Sequence, residues 1–484
     1  VTDNTNILHA LPPHVRRLHL LGVGGTGMGT LACMLKERGF EVTGSDQNLY
    51  PPMSLVLERA GIPLFTPYAA QNVAAANPDA VVVGNVIRFD NPEAAAVRAR
   101  GLPQLSMPAL LWDVFLRHKH VVCVAGTHGK TTTAMWLAHV LASAGQNPSW
   151  LVGGINAEDG KGHRLGEGAH FVIEGDEYDT AYFDKGPKFF HYRPQTLVLT
   201  SVEFDHADIY ADMPAYEAAF AKLTRGMPKD GYIAVSAAYP NAVRMARAAP
   251  CRAETYAARP ALPAADFGPL GLRFSQAGTQ LEVEKNGRPL GSFSLPLSGF
   301  QNVENALGIV AAGQSLGLSV EALQAGLQSF PGVLRRQETR VLGGGLVLVD
   351  DFAHHPTAVR ETVQGVWERF GGRRLWALFE PRSNTSRRKL HQEEYAQAFG
   401  EALLVRIRRP LPHDKIPPKE ALDVEKLAAD LRAQGKDAQV VEEVDTLVEE
   451  LAAKARPGDV VLCMSNGSFE GLLGKLAQRL GGPS

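Results

Sequence analysis

The chain has 484 residues, 45% hydrophobic and 21% charged, with a formal net charge of −2. That is material for two to four domains with large cores, and it creates no global field to draw nucleic acid or an anionic membrane. No apolar run approaches the ~18 residues of a membrane span, and the opening V-T-D-N-T-N-I-L-H-A has neither a basic nor an apolar leader region. A cytoplasmic protein without membrane or nucleic-acid partners is expected. Cys33, Cys123, Cys251 and Cys463 are scattered and mostly sit in apolar runs. Buried reduced thiols are therefore expected rather than disulfides or metal ligands.

Strand and helix patterns alternate through most of the chain, the signature of an α/β protein with parallel sheets. Turn-rich seams separate three blocks, residues 1–108, 109–332 and 333–484. The first opens with the strand R-R-L-H-L-L-G-V and a glycine loop, G-V-G-G-T-G, from Gly22 to Gly27. A second strand pattern, F-E-V-T-G-S-D, closes on Asp46, 19 residues beyond the last glycine. The spacing is that of a Rossmann-like fold, with Asp46 placed to accept from a ribose hydroxyl. Such a loop would serve the phosphates of NAD or of a UDP sugar alike.

The second block opens with V-V-C-V-A-G-T-H-G-K-T-T-T, Val121 to Thr133. An apolar β-branched run breaks into glycines and continues as a helix, which is what a nucleotide phosphate site requires. Gly126 and Gly129 let backbone N–H groups approach an anion, and the helix points its N-terminus at it. Lys130 would reach the β/γ phosphates and the Thr131 hydroxyl would sit on Mg²⁺. Val124 stands where the first glycine of the usual pattern belongs. Two further strand patterns end in acids. F-V-I-E-G-D-E-Y-D gives Glu174, then Asp176, Glu177 and Asp179; T-L-V-L-T-S-V-E-F-D-H-A-D gives Glu203, Asp205, His206 and Asp208. Parallel sheets bind ligands beyond the carboxyl ends of their strands. Thr131, Glu174 and His206 are thus expected at one phosphate–metal centre, with carboxylate and phosphate oxygen suited to Mg²⁺ and the imidazole to a second ion. The Ala- and Pro-rich residues 240–268 read as an irregular surface segment.

The third block has strand patterns at 345–350, 374–379 and 459–464 and a helical stretch from Val424 to Gln434. V-D-D-F-A-H-H-P-T-A supplies Asp350, Asp351, His354 and His355, the histidines reading as helix-entry residues before Pro356. F-E-P-R-S-N-T-S-R-R supplies Arg382, Asn384, Arg387 and Arg388, with Arg382 a candidate carboxylate or phosphate clamp. Arg406, Arg408 and Arg409, beside Pro410 and Pro412, read as a solvated loop. The last strand, D-V-V-L-C-M, runs into the glycine turn S-N-G-S-F-E-G.

The phosphate loop, Y-P-P-M-S (Tyr50 to Ser54), E-G-D-E-Y-D, E-F-D-H-A-D, D-D-F-A-H-H-P-T-A, E-P-R-S-N-T and M-S-N-G-S-F occur in one order along the chain. Together, from Arg17 to the C-terminal helix, they resemble the Mur ligases, ATP-dependent amide-forming enzymes of peptidoglycan synthesis. The resemblance implies a Rossmann-like UDP-sugar-binding domain (1–108), a central P-loop ATPase with a mainly parallel sheet (109–332), and a Rossmann-like C-terminal domain that closes over ATP and binds the peptide (333–484). It implies that Gly24, Thr26, Gly27, Met28 and Asp46 cradle uridine diphosphate rather than a nicotinamide nucleotide. ATP would be held by Gly126, Thr127, His128, Gly129, Lys130, Thr131, Thr132, Asn302, Asn305, Arg336, Asp350 and Asp351. Mg²⁺ would be held by Thr131, Glu174 and His206. Lys130, Glu174 and His206 would carry the chemistry, and His354, Arg382 and Asn384 would meet the incoming peptide. Within the family the signatures look most like members that attach L-alanyl-γ-D-glutamyl-meso-diaminopimelate to the lactyl carboxylate of UDP-N-acetylmuramate during peptidoglycan recycling; the alternative acceptor is free L-alanine. A monomer is expected. Two positions depart from the family pattern: Gln301 stands for its histidine and Ser201 for its asparagine. Lys222 reads as an ordinary surface lysine, not as the carbamylated metal bridge of some relatives.

Overall fold

The computed structural model describes residues 6–50, 53–207, 209–260, 264–410 and 416–481; Pro51, Pro52, Asp208 and Pro412, named above, lie outside them. Three α/β domains follow one another, each on its own sheet. The first sheet has five parallel strands in the order Leu64–Phe65, Glu41–Ser45, Arg17–Leu21, Ala80–Val83, Gln104–Ser106. The central sheet has ten strands. Its parallel core runs Arg252–Tyr256, Tyr232–Ser236, Thr196–Leu199, His120–Ala125, His170–Gly175, Ser149–Leu151, and an antiparallel meander from Phe267 to Leu295 extends one edge. The third sheet has six strands in the order Glu338–Val341, Val347–Asp351, Val460–Ser465, Leu375–Glu380, Leu404–Arg408, Asp437–Val441, with only the first antiparallel.

Helices cover both faces of these sheets, so central strands are apolar throughout rather than alternating. Val121 to Ala125 have no exposed surface at all. The helix Lys130–Ser143 that follows is itself buried along most of its length, with Trp136 stacked on Phe330 at 5.0 Å. This packing fixes the junction between strand and helix, and with it the phosphate loop. Among the described residues no helix is long and apolar enough to cross a membrane. Cys33, Cys123 and Cys463 are buried and Cys251 half-buried, and all four are free thiols.

Two sequence readings are corrected. Residues 240–268 hold the helix Pro240–Arg247, the strand Arg252–Tyr256 and the start of the strand Phe267–Ser275; residues 261–263 lie outside the description. Proline at the first helical position and alanine within it favour a helix, so the composition was that of an element and not of a loop. Arg406 and Arg408 belong to the strand Leu404–Arg408 and are buried. Arg406 is neutralised by Glu450, at 2.6 and 2.8 Å, and by Asp437 at 3.1 Å. Arg408 pairs with Glu470, and Arg409 with Glu425 and Glu442. A buried charge persists only when so paired.

Candidate active site

The phosphate loop leaves His120–Ala125 at its carboxyl end. Gly126 (φ 138°) and Gly129 (φ 78°) both adopt backbone conformations that L side chains avoid. A Cβ on Gly126 would stand 2.7 Å from the Ser201 backbone, and one on Gly129 would stand 2.6 Å from Asn305 Oδ1. The loop is braced from the neighbouring strand: Thr200 Oγ1 donates to His128 O at 2.5 Å and His128 N donates to Ser201 Oγ at 2.8 Å. The serine that departs from the family pattern thus supports the loop. The helix N-terminus beyond it is a ready anion site.

Two acid-centred groups lie behind the loop. Thr131 Oγ1 donates to Glu174 Oε1 at 2.8 Å, while Glu174 Oε2 accepts from Gly153 N at 2.8 Å. Burial and the neighbouring Asp176 push the Glu174 carboxyl above its ordinary range. Lys130 Nζ donates to both oxygens of Glu177 at 3.0 Å, and Glu177 Oε1 lies 2.9 Å from His206 Nε2. Burial works against the charge on Lys130, but the surrounding carboxylates outweigh it and raise its pKa. Burial likewise opposes the His206 imidazolium, yet the Glu177 bond prevails and raises that pKa too. His206 has φ 56°, in the left-handed region that few residues other than glycine adopt and that recurs at functional sites. Thr131 and Glu174 are therefore brought together as expected of one centre, whereas His206 is joined to Glu177 and not to either of them.

Among the described residues, three metal-type donors converge within 4.8 Å at His128, Glu203 and His355. Their hydrogen bonding argues against a metal there. His355 Nδ1 accepts from Thr357 N at 3.3 Å as the cap of the helix Pro356–Arg369, which leaves the ring proton on Nε2. A metal-bound imidazole instead donates from its second nitrogen. The cluster is a contact between domains: His128 Nε2 is 2.6 Å from Glu203 Oε2, and the His128 ring lies 4.6 Å from that of His355. The helix-entry reading of His355 agrees with this geometry.

Further contacts close the third domain over the loop. Arg336 Nη2 donates to Thr131 Oγ1 at 3.3 Å, and Thr385 Oγ1 donates to Asp205 Oδ1 at 2.6 Å in a buried bond. Asp350 lies 3.4 Å from Arg335 Nε, and burial pushes its carboxyl up to about 6. Asp351 accepts from Ala353 N in its own turn at 2.8 Å and from Gln337 N, ahead of the neighbouring strand, at 2.9 Å, so both oxygens are engaged within the domain. His354 Nδ1 bonds to Phe352 O at 3.0 Å, and Tyr395 OH donates to His354 O. Arg382 packs against Gly467, where a Cβ would overlap its side chain, and Asn384, two residues on, is half-buried. Asn302 Nδ2 donates to Ser298 O at 2.8 Å, and Asn305 Nδ2 to Asn302 Oδ1 at 3.3 Å. Thr132 is buried in the first turn of its helix, and Thr127 Oγ1 donates to Glu203 O.

In the first domain Gly24 N donates to Asp46 Oδ2 at 2.8 Å, and Thr26 and Gly27 begin the helix Thr26–Glu37. Met28 is buried in the core of the domain. Lys222 is exposed, its Nζ 4.0 Å over the Phe190 ring. Sequence reasoning did not single out Glu177, Glu203, Asp205 or Thr385. The acids stand in E-G-D-E-Y-D and E-F-D-H-A-D and Thr385 closes E-P-R-S-N-T, but which of these side chains turns inward depends on the loop after each strand.

Three family descriptions match consecutive parts of the chain: the Mur ligase family catalytic domain over residues 17–119, the Mur ligase middle domain over 124–313, and the Mur ligase glutamate ligase domain over 335–467. The UDP-N-acetylmuramate–L-alanyl-γ-D-glutamyl-meso-2,6-diaminoheptandioate ligase of Escherichia coli K12 is 37% identical over 96% of this chain and 98% of its own length. The UDP-N-acetylmuramate–L-alanine ligase of Sorangium cellulosum is 32% identical over 96% of this chain and 97% of its own. The crystal structure of a murein peptide ligase from Psychrobacter arcticus superposes with a TM-score of 0.69 at 34% identity, covering 96% of this chain and 98% of that one.

Proposed function

The chain belongs to the Mur ligase family, and from that premise we propose that it is an ATP-dependent ligase joining the tripeptide L-alanyl-γ-D-glutamyl-meso-diaminopimelate to the lactyl carboxylate of UDP-N-acetylmuramate, in peptidoglycan recycling. The observation that carries this reading is the full-length likeness to the E. coli tripeptide ligase. The γ-phosphoryl group of ATP passes to the lactyl carboxylate, giving ADP and an acyl phosphate. The alanine amine attacks the acyl carbon, loses a proton, and phosphate leaves as the amide forms. This brings an anionic nucleophile against a polyanion, so positive charge must be concentrated there. Lys130, kept protonated by its acidic surroundings, and Arg336, reaching the loop from the third domain, supply it from the chain.

Thr131 and Glu174 present paired hard oxygen donors of the kind Mg²⁺ takes, and burial leaves Glu174 short of compensating charge. These two would hold the ion, which supplies charge neutralisation at the phosphate oxygens. His206 lies on the far side of Lys130 and Glu177, where it would hold Glu177 in place or meet a second ion. Gly24, Thr26, Gly27, Met28 and Asp46 form the uridine-diphosphate cradle; Asn302 and Asn305 face the loop from the adenine side; His354, Arg382 and Asn384 meet the peptide. The reading takes domain boundaries near residues 108 and 332 and a cytoplasmic monomer, the latter checked by sedimentation. The deciding experiment measures ADP release with UDP-N-acetylmuramate and either the tripeptide or free L-alanine. Turnover with the tripeptide is expected; strong turnover with L-alanine alone would overturn the choice in favour of the alanine ligase.

A further inference from the structure

The parallel strands of the third sheet place their carboxyl ends along one edge, in the order Val347–Asp351, Val460–Ser465, Leu375–Glu380, Leu404–Arg408. Ligands of such sheets bind along that edge. The Val347–Asp351 end lies toward the phosphate loop. Farther along, between the segment that follows Leu375–Glu380 and the start of the helix Val424–Ala433, the edge opens into a cavity of about 910 Å³. Its lining includes Lys389, Lys419, Glu393, Glu394 and the side of Leu390, which is 49% exposed. Among the described residues neither lysine is in an ion pair, unlike Lys426 at the rim, which holds Asp430 at 2.6 Å.

One wall joins this cavity to the reaction centre. The His391 ring lies 4.8 Å from that of His355, and its Nδ1 is 3.5 Å from Glu394 in the cavity lining. His391 Nε2 is buried without a hydrogen-bond partner, and so is Arg387 Nε. Buried polar atoms left unsatisfied call for a partner. Lys389 lies four residues beyond Thr385, which touches Asp205 at the centre. It is therefore at most roughly 14 Å from Thr385 along the chain, a distance that three residues at about 10 Å, lengthened by a γ-linkage and a long terminal side chain, can reach.

We propose that this groove is the subsite for the distal residue of the acceptor peptide, an aminodicarboxylic acid. The proposal rests on the tripeptide reading above. That residue carries carboxylates, a free amine and a methylene chain between them. Lys389 and Lys419 match the carboxylates, Glu393 and Glu394 the amine, and Leu390 the methylenes. The groove thereby distinguishes a full tripeptide from shorter acceptors, which end before reaching it.

The test is calorimetric binding to the full-length protein loaded with UDP-N-acetylmuramate and a non-hydrolysable ATP analogue. The titrants are L-Ala-γ-D-Glu-meso-diaminopimelate and the dipeptide L-Ala-γ-D-Glu. The double variant Lys389→Ala, Lys419→Ala alters exposed side chains only, and circular dichroism and Tm verify its fold. Tripeptide Kd should rise by about tenfold, the scale of one lost charge-assisted contact, while dipeptide Kd stays within twofold. An equal rise for both peptides, or no rise for the tripeptide, would overturn the groove while leaving the ligase reading intact. Failure of the unaltered protein to bind the tripeptide at all would overturn that reading, and the groove with it.

Discussion

Two glycine loops in this chain share one plan and differ in what stands behind them. Each leaves a buried parallel strand and opens a helix. In the first domain the Gly24 N–H is already bonded to Asp46, and the buried His19–Glu93 pair beneath is fully partnered by Thr43, Ser45, Asn72 and the Ala69 N–H. Burial opposes the Glu93 charge, but these bonds outweigh it and hold its carboxyl below the ordinary range. The central loop backs instead onto Glu174, Asp176, Glu177 and Lys130, and Glu174 is pushed up. One loop is electrostatically settled; the other holds charges that an arriving polyanion and cation must rearrange. Such unsettled groups cluster where chemistry occurs. The contrast supports the proposed division, in which the first loop binds and the second reacts.

The strongest way to break that contrast is Lys130→Ala. Ligation should fall by about a thousandfold, at the upper end for loss of one charge-stabilising group, while titration with the uridine nucleotide gives an unchanged Kd. Unchanged ligation would remove the lysine from the chemistry. Glu177→Gln comes next. It leaves Lys130, 11% exposed, without its bidentate partner, and breaking a buried pair from one side costs about 3 kcal/mol. Tm should drop by roughly 6–12 °C for a domain of this size, with activity falling alongside. A Tm within 2 °C, roughly under 1 kcal/mol by the same scaling, would show that Glu177 is solvated and not a hub.

Much of this was legible from sequence because parallel strands buried on both faces read as unbroken apolar runs, and ligand groups follow their ends. Val121 to Ala125, then Lys130 and Thr131, fell where the pattern put them. The third-sheet strands begin and end within two residues of their apolar runs. What was not legible depends on tertiary partners. Nothing near Arg406 in sequence announces Glu450, which neutralises it from a helix 44 residues on. Of the four acids Glu174, Asp176, Glu177 and Asp179, the choice of Glu177 as partner to Lys130 and His206 is made by the turn after the strand, not by spacing. The Thr385–Asp205 bond joins residues 180 apart and exists only when two domains meet.

A third, smaller effect separates the loops by pH. Glu304 lies on the helix that presents Asn305 to Gly129, and burial raises its carboxyl to about 7 despite bonds from Ser236 Oγ and Ala258 N. Its folded pKa lies above the unfolded value near 4.5, so between those values the native state binds more protons than the unfolded chain. Stability contributed by the protonated acid is complete below about 4.5 and is lost as pH rises through about 7. Glu304→Gln should flatten the decline in Tm between pH 5 and 8 and raise Tm at pH 8. Parallel Tm–pH curves for the two proteins would show that Glu304 is ionised in the native state throughout.

The smallest effect tests the settled loop. Asp46→Ala removes the acceptor of the Gly24 N–H and the acid that faces the ribose in the proposed uridine cradle. The stability cost should be about 1 kcal/mol, that of one hydrogen bond, because Asp46 is half-buried and water can replace it at the loop. KM for the uridine nucleotide should rise about tenfold, with kcat within a factor of two, since a contact made equally in ground and transition states changes binding alone. A fall in kcat matching the rise in KM would place the first loop in the reacting assembly and dissolve the division between a loop that binds and a loop that reacts.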